Sequence, residues 1–181
     1  MRLDGGGLER SEASAQRKSL LPNNINHIIN DLLFVASILT FPAHSLIACR
    51  LKEAGDDKYK AADFEGAIAE YTKCIDALGE MSSPLAIKAL SNRAACYKQI
   101  SNFDGTISDC TMVLEADNNN VKALVRRAQA FEAVERYKYA LQDVKQVLSQ
   151  PYNDVGEANY KLCNGMQHRL NRVVQQLKSM S

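Results

Sequence analysis

The feature that most constrains the fold is an internal repeat that begins at Leu51. The segments "ADFEGAIAEYTKCI", "SNFDGTISDCTMVL" and "ERYKYALQDVKQVL" superpose without gaps, and their aromatic residues Phe64, Phe103 and Tyr137 lie 39 and 34 residues apart. The same intervals separate a set of small residues and a set of leucines: Ala67, Thr106 and Ala140, and Leu51, Leu90 and Leu124. The longer first interval contains "LGEMSSP", whose Gly, Ser and Pro predict an extended loop. The chain from Leu51 onward is therefore a tandem array.

A 34-residue period with small residues at fixed helical positions resembles the tetratricopeptide repeat (TPR). The resemblance implies an all-α, right-handed superhelical solenoid of three helix–turn–helix repeats, at about residues 51–83, 84–117 and 118–151. Small residues would let the helices approach closely: Gly55, Ala94 and Ala128 on the first helices, and Ala67, Thr106 and Ala140 on the second. Ser83 before Pro84 and Asn102 before Phe103 are predicted helix N-caps.

The segment after Pro151 is predicted to cap the array. Asp154 and Glu157 have the spacing of a capping box at a helix start. Apolar residues then recur at intervals of three and four: Leu162, Met166, Leu170, Val173, Val174 and Leu177. Because a solenoid must cover its last open face, we interpret residues 152–181 as a capping helix and tail. A partner-binding amphipathic helix is the alternative.

Residues 1–50 lie outside the repeat and are interpreted as a leader. The start, "MRLDGGGLERSEASAQRKS", is polar and rich in small residues, which is typical of disorder. Residues 32–49 carry no formal charge. This segment is marginally long enough to span a membrane, and Pro42 and His44 interrupt its apolar sequence. Two interpretations stay open: a membrane anchor through residues 32–49, or a helix over about residues 24–41 that packs on the first repeat or lies loosely beside it.

Composition argues against several classes of function. Lysine and arginine number 22 against 21 acidic residues, without the basic excess of a nucleic-acid binder. The five cysteines are irregularly spaced and the three histidines are scattered, which argues against a zinc site and a disulfide framework and favours reduced thiols in a cytoplasmic protein. No catalytic constellation and no cofactor motif is recognisable. The chain is therefore predicted to be neither an enzyme nor a cofactor protein.

A set of polar residues on the first helices of the repeats would line the concave groove: Lys52, Asp56, Asn92, Lys122 and Arg126. Four-residue spacing places Lys52 with Asp56, and Lys122 with Arg126, on one helix face each. Together with "SNRAACY" and "KALVRRAQAF", this set resembles the carboxylate-clamp TPR domains of co-chaperones, including the stress-induced organising protein and the myosin chaperones. The resemblance covers residues 51–150.

That resemblance implies a protein–protein interaction module, a co-chaperone or adaptor. Its ligand would be the acidic C-terminal tail of heat-shock protein 70 or 90 chaperones, ending Glu-Glu-Val-Asp. Lys52, Lys122 and Arg126 would supply charge-assisted hydrogen bonds to the tail carboxylates, and Asn92 would orient an oxygen through its amide.

Asp56 departs from the pattern, because the family has asparagine there. An ionised carboxylate only accepts hydrogen bonds, and about 4 Å from a ligand carboxylate it would cost about 1–4 kcal/mol. Lys52 and Asp56 could instead be a plain surface ion pair. The alternative functions are a TPR scaffold for a different peptide or protein, a membrane-anchored chaperone-docking receptor, and a targeting fragment of an enzyme.

Overall fold

A computed structural model describes residues 45–80 and 82–180. The predictions for residues 1–44, which include the polar start and most of the apolar segment 32–49, lie outside the described residues. Within the described ranges no strand occurs. No helix among these residues is both long enough and apolar enough to cross a bilayer.

Eight helices follow one another in the described residues. They are α1 (residues 45–60), α2 (Phe64–Leu78), α3 (Pro84–Gln99), α4 (Phe103–Ala116), α5 (Val121–Ala133), α6 (Tyr137–Leu148), the short α7 (Tyr152–Val155) and α8 (Glu157–Ser179). From α2 to α6 each helix packs on the next, α3 also touches α5, and α8 packs mainly on α6. The prediction of an all-α solenoid of three helix pairs followed by a further helix is confirmed.

Local side-chain chemistry sets where the helices begin. Ser83 Oγ accepts a hydrogen bond from Ala86 N at 3.2 Å, and Asn102 Oδ1 accepts one from Gly105 N at 2.9 Å, so both predicted N-caps are confirmed. The side chains of Asp63 and Asn120 cap α2 and α5 in the same way. Each cap satisfies a backbone N–H that the first helical turn leaves without a partner.

The turn inside each repeat has the same backbone conformation. Ala62, Ser101 and Glu135 occupy equivalent repeat positions and have φ of 61°, 59° and 61°. The amide of the next residue in each turn donates to a carbonyl near the end of the preceding helix, as Asn102 N does to Tyr97 O at 2.8 Å. The first helix of each repeat therefore ends at a residue in the left-handed backbone conformation, and these hydrogen bonds have the pattern of a Schellman motif.

The end of the chain differs in two respects from what was predicted. The capping box was wrong: Asp154 lies inside α7, and Gly156, with φ of 77°, caps α8 without a side-chain bond. Met166 and Leu170 are buried as the stripe predicts, but Leu162 and Leu177 are 38% and 50% exposed, and Cys163 is buried. Cys163 lies three residues before Met166 and seven before Leu170, so the three buried residues share one face of α8.

Candidate functional site

A cavity of about 320 Å³ opens among helices of all three repeats. Its lining residues come from α1, α2, α3 and α5: Asp56, Tyr59, Lys60, Tyr71, Asn92, Ala95 and Arg126. The fold therefore brings three of the residues singled out in the sequence, Asp56, Asn92 and Arg126, to one site. Lys52 and Lys122 are not among the lining residues, and each lies one helical turn before one that is.

Asp56 accepts hydrogen bonds from donors on three helices. Its Oδ2 receives Lys52 Nζ at 2.6 Å within α1. Its Oδ1 receives the hydroxyl of Tyr71 in α2 at 2.7 Å and the amide Nδ2 of Asn92 in α3 at 3.0 Å. The Asp56 carboxylate thus accepts hydrogen bonds from Lys52 and Asn92, the two donors that the clamp resemblance predicts to bind the ligand.

These contacts keep Asp56 ionised at neutral pH. Burial alone raises the pKa of Asp56, but the hydrogen bonds from Lys52, Tyr71 and Asn92 and the charge of Lys52 together hold that pKa below its ordinary value. Burial and the neighbouring Asp56 raise the pKa of Tyr71. The Tyr71 hydroxyl therefore stays protonated and acts as a donor to Asp56.

Gly55 makes room for the Tyr71 ring. A Cβ atom at Gly55 would lie 2.7 Å from Tyr71 Cε1 and 2.9 Å from Tyr71 Cδ1. Tyr71 is 1% exposed, so its ring has little space to move away. The small residue that sequence reasoning assigned to helix packing also positions the Tyr71 hydroxyl against Asp56.

Arg126, which also lines the cavity, is held by α3. Its Nη1 donates to the Ser91 carbonyl oxygen at 3.1 Å and to Ser91 Oγ at 3.0 Å. Within the described residues no further hydrogen bond engages Arg126, so its Nε and Nη2 N–H groups remain available to a ligand. Lys122, one turn earlier on α5, is exposed and has no polar partner in the part of the chain that the structure describes.

Sequence reasoning missed the polar role of Tyr71, which is not among the groove residues it predicted. A signal was available, because the equivalent positions of the other repeats hold Cys110 and Val144, which cannot offer a hydroxyl group. Sequence reasoning also missed Ser91, which orients Arg126, and Lys98, which donates to Gln129 Oε1. Burial and the charge of Arg126 lower the pKa of Lys98, so Lys98 is a further cationic side chain near Arg126.

Other site chemistry is sparse in the described residues. Among residues 45–80 and 82–180, no group of three His, Cys, Asp or Glu side chains could hold a metal ion. The five cysteines are unpaired, and all but Cys49 are buried. The cavity lined by Asp56, Asn92 and Arg126 is the candidate functional site.

The chain is similar in sequence to part of several curated proteins. No protein-family model matches the chain. Sperm-associated antigen 1A from Danio rerio is 42% identical over 102 residues, which are 55% of this chain and 24% of that protein. The chain spans 24% or less of the length of the first curated relatives it matches.

Solved TPR domains are also similar in structure. The Arabidopsis OM64 TPR domain is 29% identical with a TM-score of 0.60, covering 71% of this chain and 98% of that one. The first TPR of Spaghetti (RPAP3), bound to HSP90 peptide SRMEEVD, is 25% identical with a TM-score of 0.62, covering 72% and 95%.

The fold and these likenesses define a tetratricopeptide-repeat protein. Within that class, the repeats resemble the TPR domains of Hsp70 and Hsp90 co-chaperones.

Proposed function

We propose that the chain is a co-chaperone or adaptor module that binds the acidic C-terminal tail of a heat-shock protein 70 or 90 chaperone in its groove. The observation that carries this proposal is the placement of Arg126. Ser91 holds its guanidinium beside a cavity that Asn92 also lines, while Lys122 lies one turn away. In this proposal residues 51–150 form the peptide-binding unit, and residues 152–181 form the capping helix and tail that cover its last repeat. The module acts in the cytoplasm by binding alone, without catalysis.

The chemistry of the Arg126 side suits a carboxylate. A guanidinium with two unused N–H directions can bind a carboxylate in a fork, and a nearby ammonium adds a charge-assisted hydrogen bond. An extended tail loses conformational freedom when it binds, so we expect a Kd of about 1–100 μM. Lys122 and Arg126 are the residues we propose as the main ligand contacts.

The comparisons support the kind of partner. The Spaghetti TPR was solved with an HSP90 peptide that ends in Glu-Glu-Val-Asp, and the likeness covers 72% of this chain. The residue assignment rests on the geometry of Asn92, Lys122 and Arg126, with Lys52 and Asp56 forming the modified part of the clamp.

The proposal is tested by calorimetric titration with two peptides of equal length. One ends in Glu-Glu-Val-Asp and the other has every carboxyl group replaced by carboxamide, Gln-Gln-Val-Asn-amide. We expect micromolar binding of the first, weakening with added salt, and at least about tenfold weaker binding of the second. Equal binding of both peptides would favour a scaffold for a different partner. Failure of both to bind at high micromolar concentration would overturn the proposal.

A further inference from the structure

The groove is divided into two halves of different chemistry. Around Asp56, the donors of Lys52, Tyr71 and Asn92 are already directed at the carboxylate, at 2.6, 2.7 and 3.0 Å. Around Arg126, the N–H groups of Nε and Nη2 and the ammonium of Lys122 have no partner within the described residues. We call these the Asp56 half and the Arg126 half.

The Asp56 half offers an acceptor. A carboxylate has about four acceptor positions, and Asp56 uses two on Oδ1 and one on Oδ2, so one position on Oδ2 remains. The Asp56 side chain is 30% exposed, so a ligand can reach it. Lys52 and Asp56 neutralise each other, which leaves no uncompensated positive charge in this half.

The two kinds of ligand group therefore meet different environments. A carboxylate at the Asp56 half would face a like charge and would have to compete with Asp56 for Lys52 and Asn92. An ammonium group there would meet the like charge of the Lys52 ammonium. A neutral carboxamide would donate an N–H to Asp56 Oδ2 and would displace no existing bond.

Resting on the proposed function, we propose that Asp56 makes the groove select a tail with one carboxylate and one neutral carboxamide at its end. The carboxylate binds Lys122 and Arg126, and the carboxamide binds Asp56. The carboxamide has two sources: the side chain of a C-terminal asparagine, or an amidated C-terminus after aspartate. Asp56 is thus the residue that determines ligand specificity.

Four peptides with a common Glu-Glu-Val stem test this inference by titration. They end in aspartate with a free carboxylate, asparagine with a free carboxylate, aspartate amide, and asparagine amide. Two of these peptides, asparagine with a free carboxylate and aspartate amide, carry one carboxylate and one carboxamide on the last residue; we call them the single-carboxylate peptides. The wild-type protein is expected to bind one or both of them at least as tightly as the peptide that ends in aspartate with a free carboxylate. Which of the two binds more tightly identifies the source of the carboxamide. The Asp56→Asn variant is expected to shift preference toward the aspartate acid by about tenfold.

Glu53→Gln is the matched control, because Glu53 is an exposed acid on the same helix that does not line the cavity and makes no hydrogen bond or ion pair within the described residues. It should leave the preference of the wild type unchanged. The inference is overturned if the wild type prefers the aspartate acid over both single-carboxylate peptides, a result that needs no variant to fold. It is also overturned if Asp56→Asn and Glu53→Gln rank the four peptides in the same order of affinity. In either case tight binding of the aspartate acid leaves the proposed function standing, whereas absence of binding by all four peptides to every protein overturns both.

Discussion

Arg127 and Asp143 form a two-point ion pair that joins α5 to α6. Arg127 Nε and Nη2 each donate to one carboxylate oxygen of Asp143 at 2.8 Å, and Nη1 reaches Thr111 Oγ1 in α4 at 3.2 Å. The pattern recurs one repeat earlier, where Arg93 pairs with Asp109 at the same distances and reaches Thr72 in α2. One arginine thus ties together three helices of two adjacent repeats.

Loss of this arginine is expected to destabilise the array. Asp143 is 3% exposed, so Arg127→Met leaves a buried carboxylate without its partner and should lower the free energy of unfolding by about 3 kcal/mol. Arg136→Met is the control, since Arg136 is exposed and makes no side-chain cap bond; it should change stability by less than about 0.5 kcal/mol. Urea denaturation measures both, and similar values for the two variants would show that the pair does not hold the repeats together.

Gly55→Ala should destabilise the protein although it improves helix propensity. The added methyl would overlap the Tyr71 ring, and relief of that overlap should cost about 1–3 kcal/mol. Gly165→Ala in α8 is the matched control, because its nearest neighbour is Arg169 Nη1 at 3.9 Å, and it should stabilise by up to about 1 kcal/mol. Thermal denaturation should therefore show a lower melting temperature for Gly55→Ala and a higher one for Gly165→Ala than for the wild type. A higher melting temperature for both variants would contradict the contact between Gly55 and the Tyr71 ring.

Thiol labelling should distinguish Cys49 from the other four cysteines. Burial raises the pKa of Cys96 to about 11 and that of Cys110 to about 12, and both side chains are fully buried. Since the thiolate is the reactive form, iodoacetamide at pH 8 should modify the half-buried Cys49 first in the folded protein, and all five only after denaturation. Mass spectrometry follows the order; Cys110 reacting as fast as Cys49 in the folded protein would contradict the packing described for α4.

The contribution of Asp56 to stability should depend on pH. Its pKa is lower in the folded protein than the ordinary 3.8, so its bonds stabilise the fold above that value and are lost as the pH falls through the folded pKa. The stability difference between the wild type and Asp56→Asn should therefore be largest near neutral pH and shrink below about pH 4. Urea denaturation at pH 7 and pH 3 measures it, and an equal difference at both pH values would mean that Asp56 is not held ionised by its neighbours.

The sequence was sufficient to predict features that depend on local spacing. Phe64, Phe103 and Tyr137 each begin the second helix of a repeat, and Ser83 and Asn102 cap the helices that follow them. Their positions are set by the repeat interval and by short-range hydrogen bonds, both of which are visible in the sequence. The Asp154 prediction failed because a capping box needs a particular backbone path, and Gly156 changes that path.

Features that depend on contacts between repeats were harder to predict. The Tyr71 hydroxyl meets Asp56 across 15 positions, and Asn92 meets it across 36, so neither contact follows from helical spacing. The two arginine–aspartate pairs do carry a sequence signal, because Arg93 and Arg127, like Asp109 and Asp143, are separated by the 34-residue period. A charged residue repeated at a position that packing should bury is a signal for such a pair.

The most direct test of the proposed function is the affinity of the Glu-Glu-Val-Asp peptide for two charge-matched double variants. Lys122→Ala with Arg126→Ala removes the two cations proposed as the main ligand contacts, whereas Arg136→Ala with Lys138→Ala removes two exposed cations from α6 and its N-cap. We predict that the first double variant binds at least about tenfold more weakly than the wild type and that the second binds within about twofold of it. Equal affinity of the two double variants would contradict the proposal that Lys122 and Arg126 bind the acidic tail.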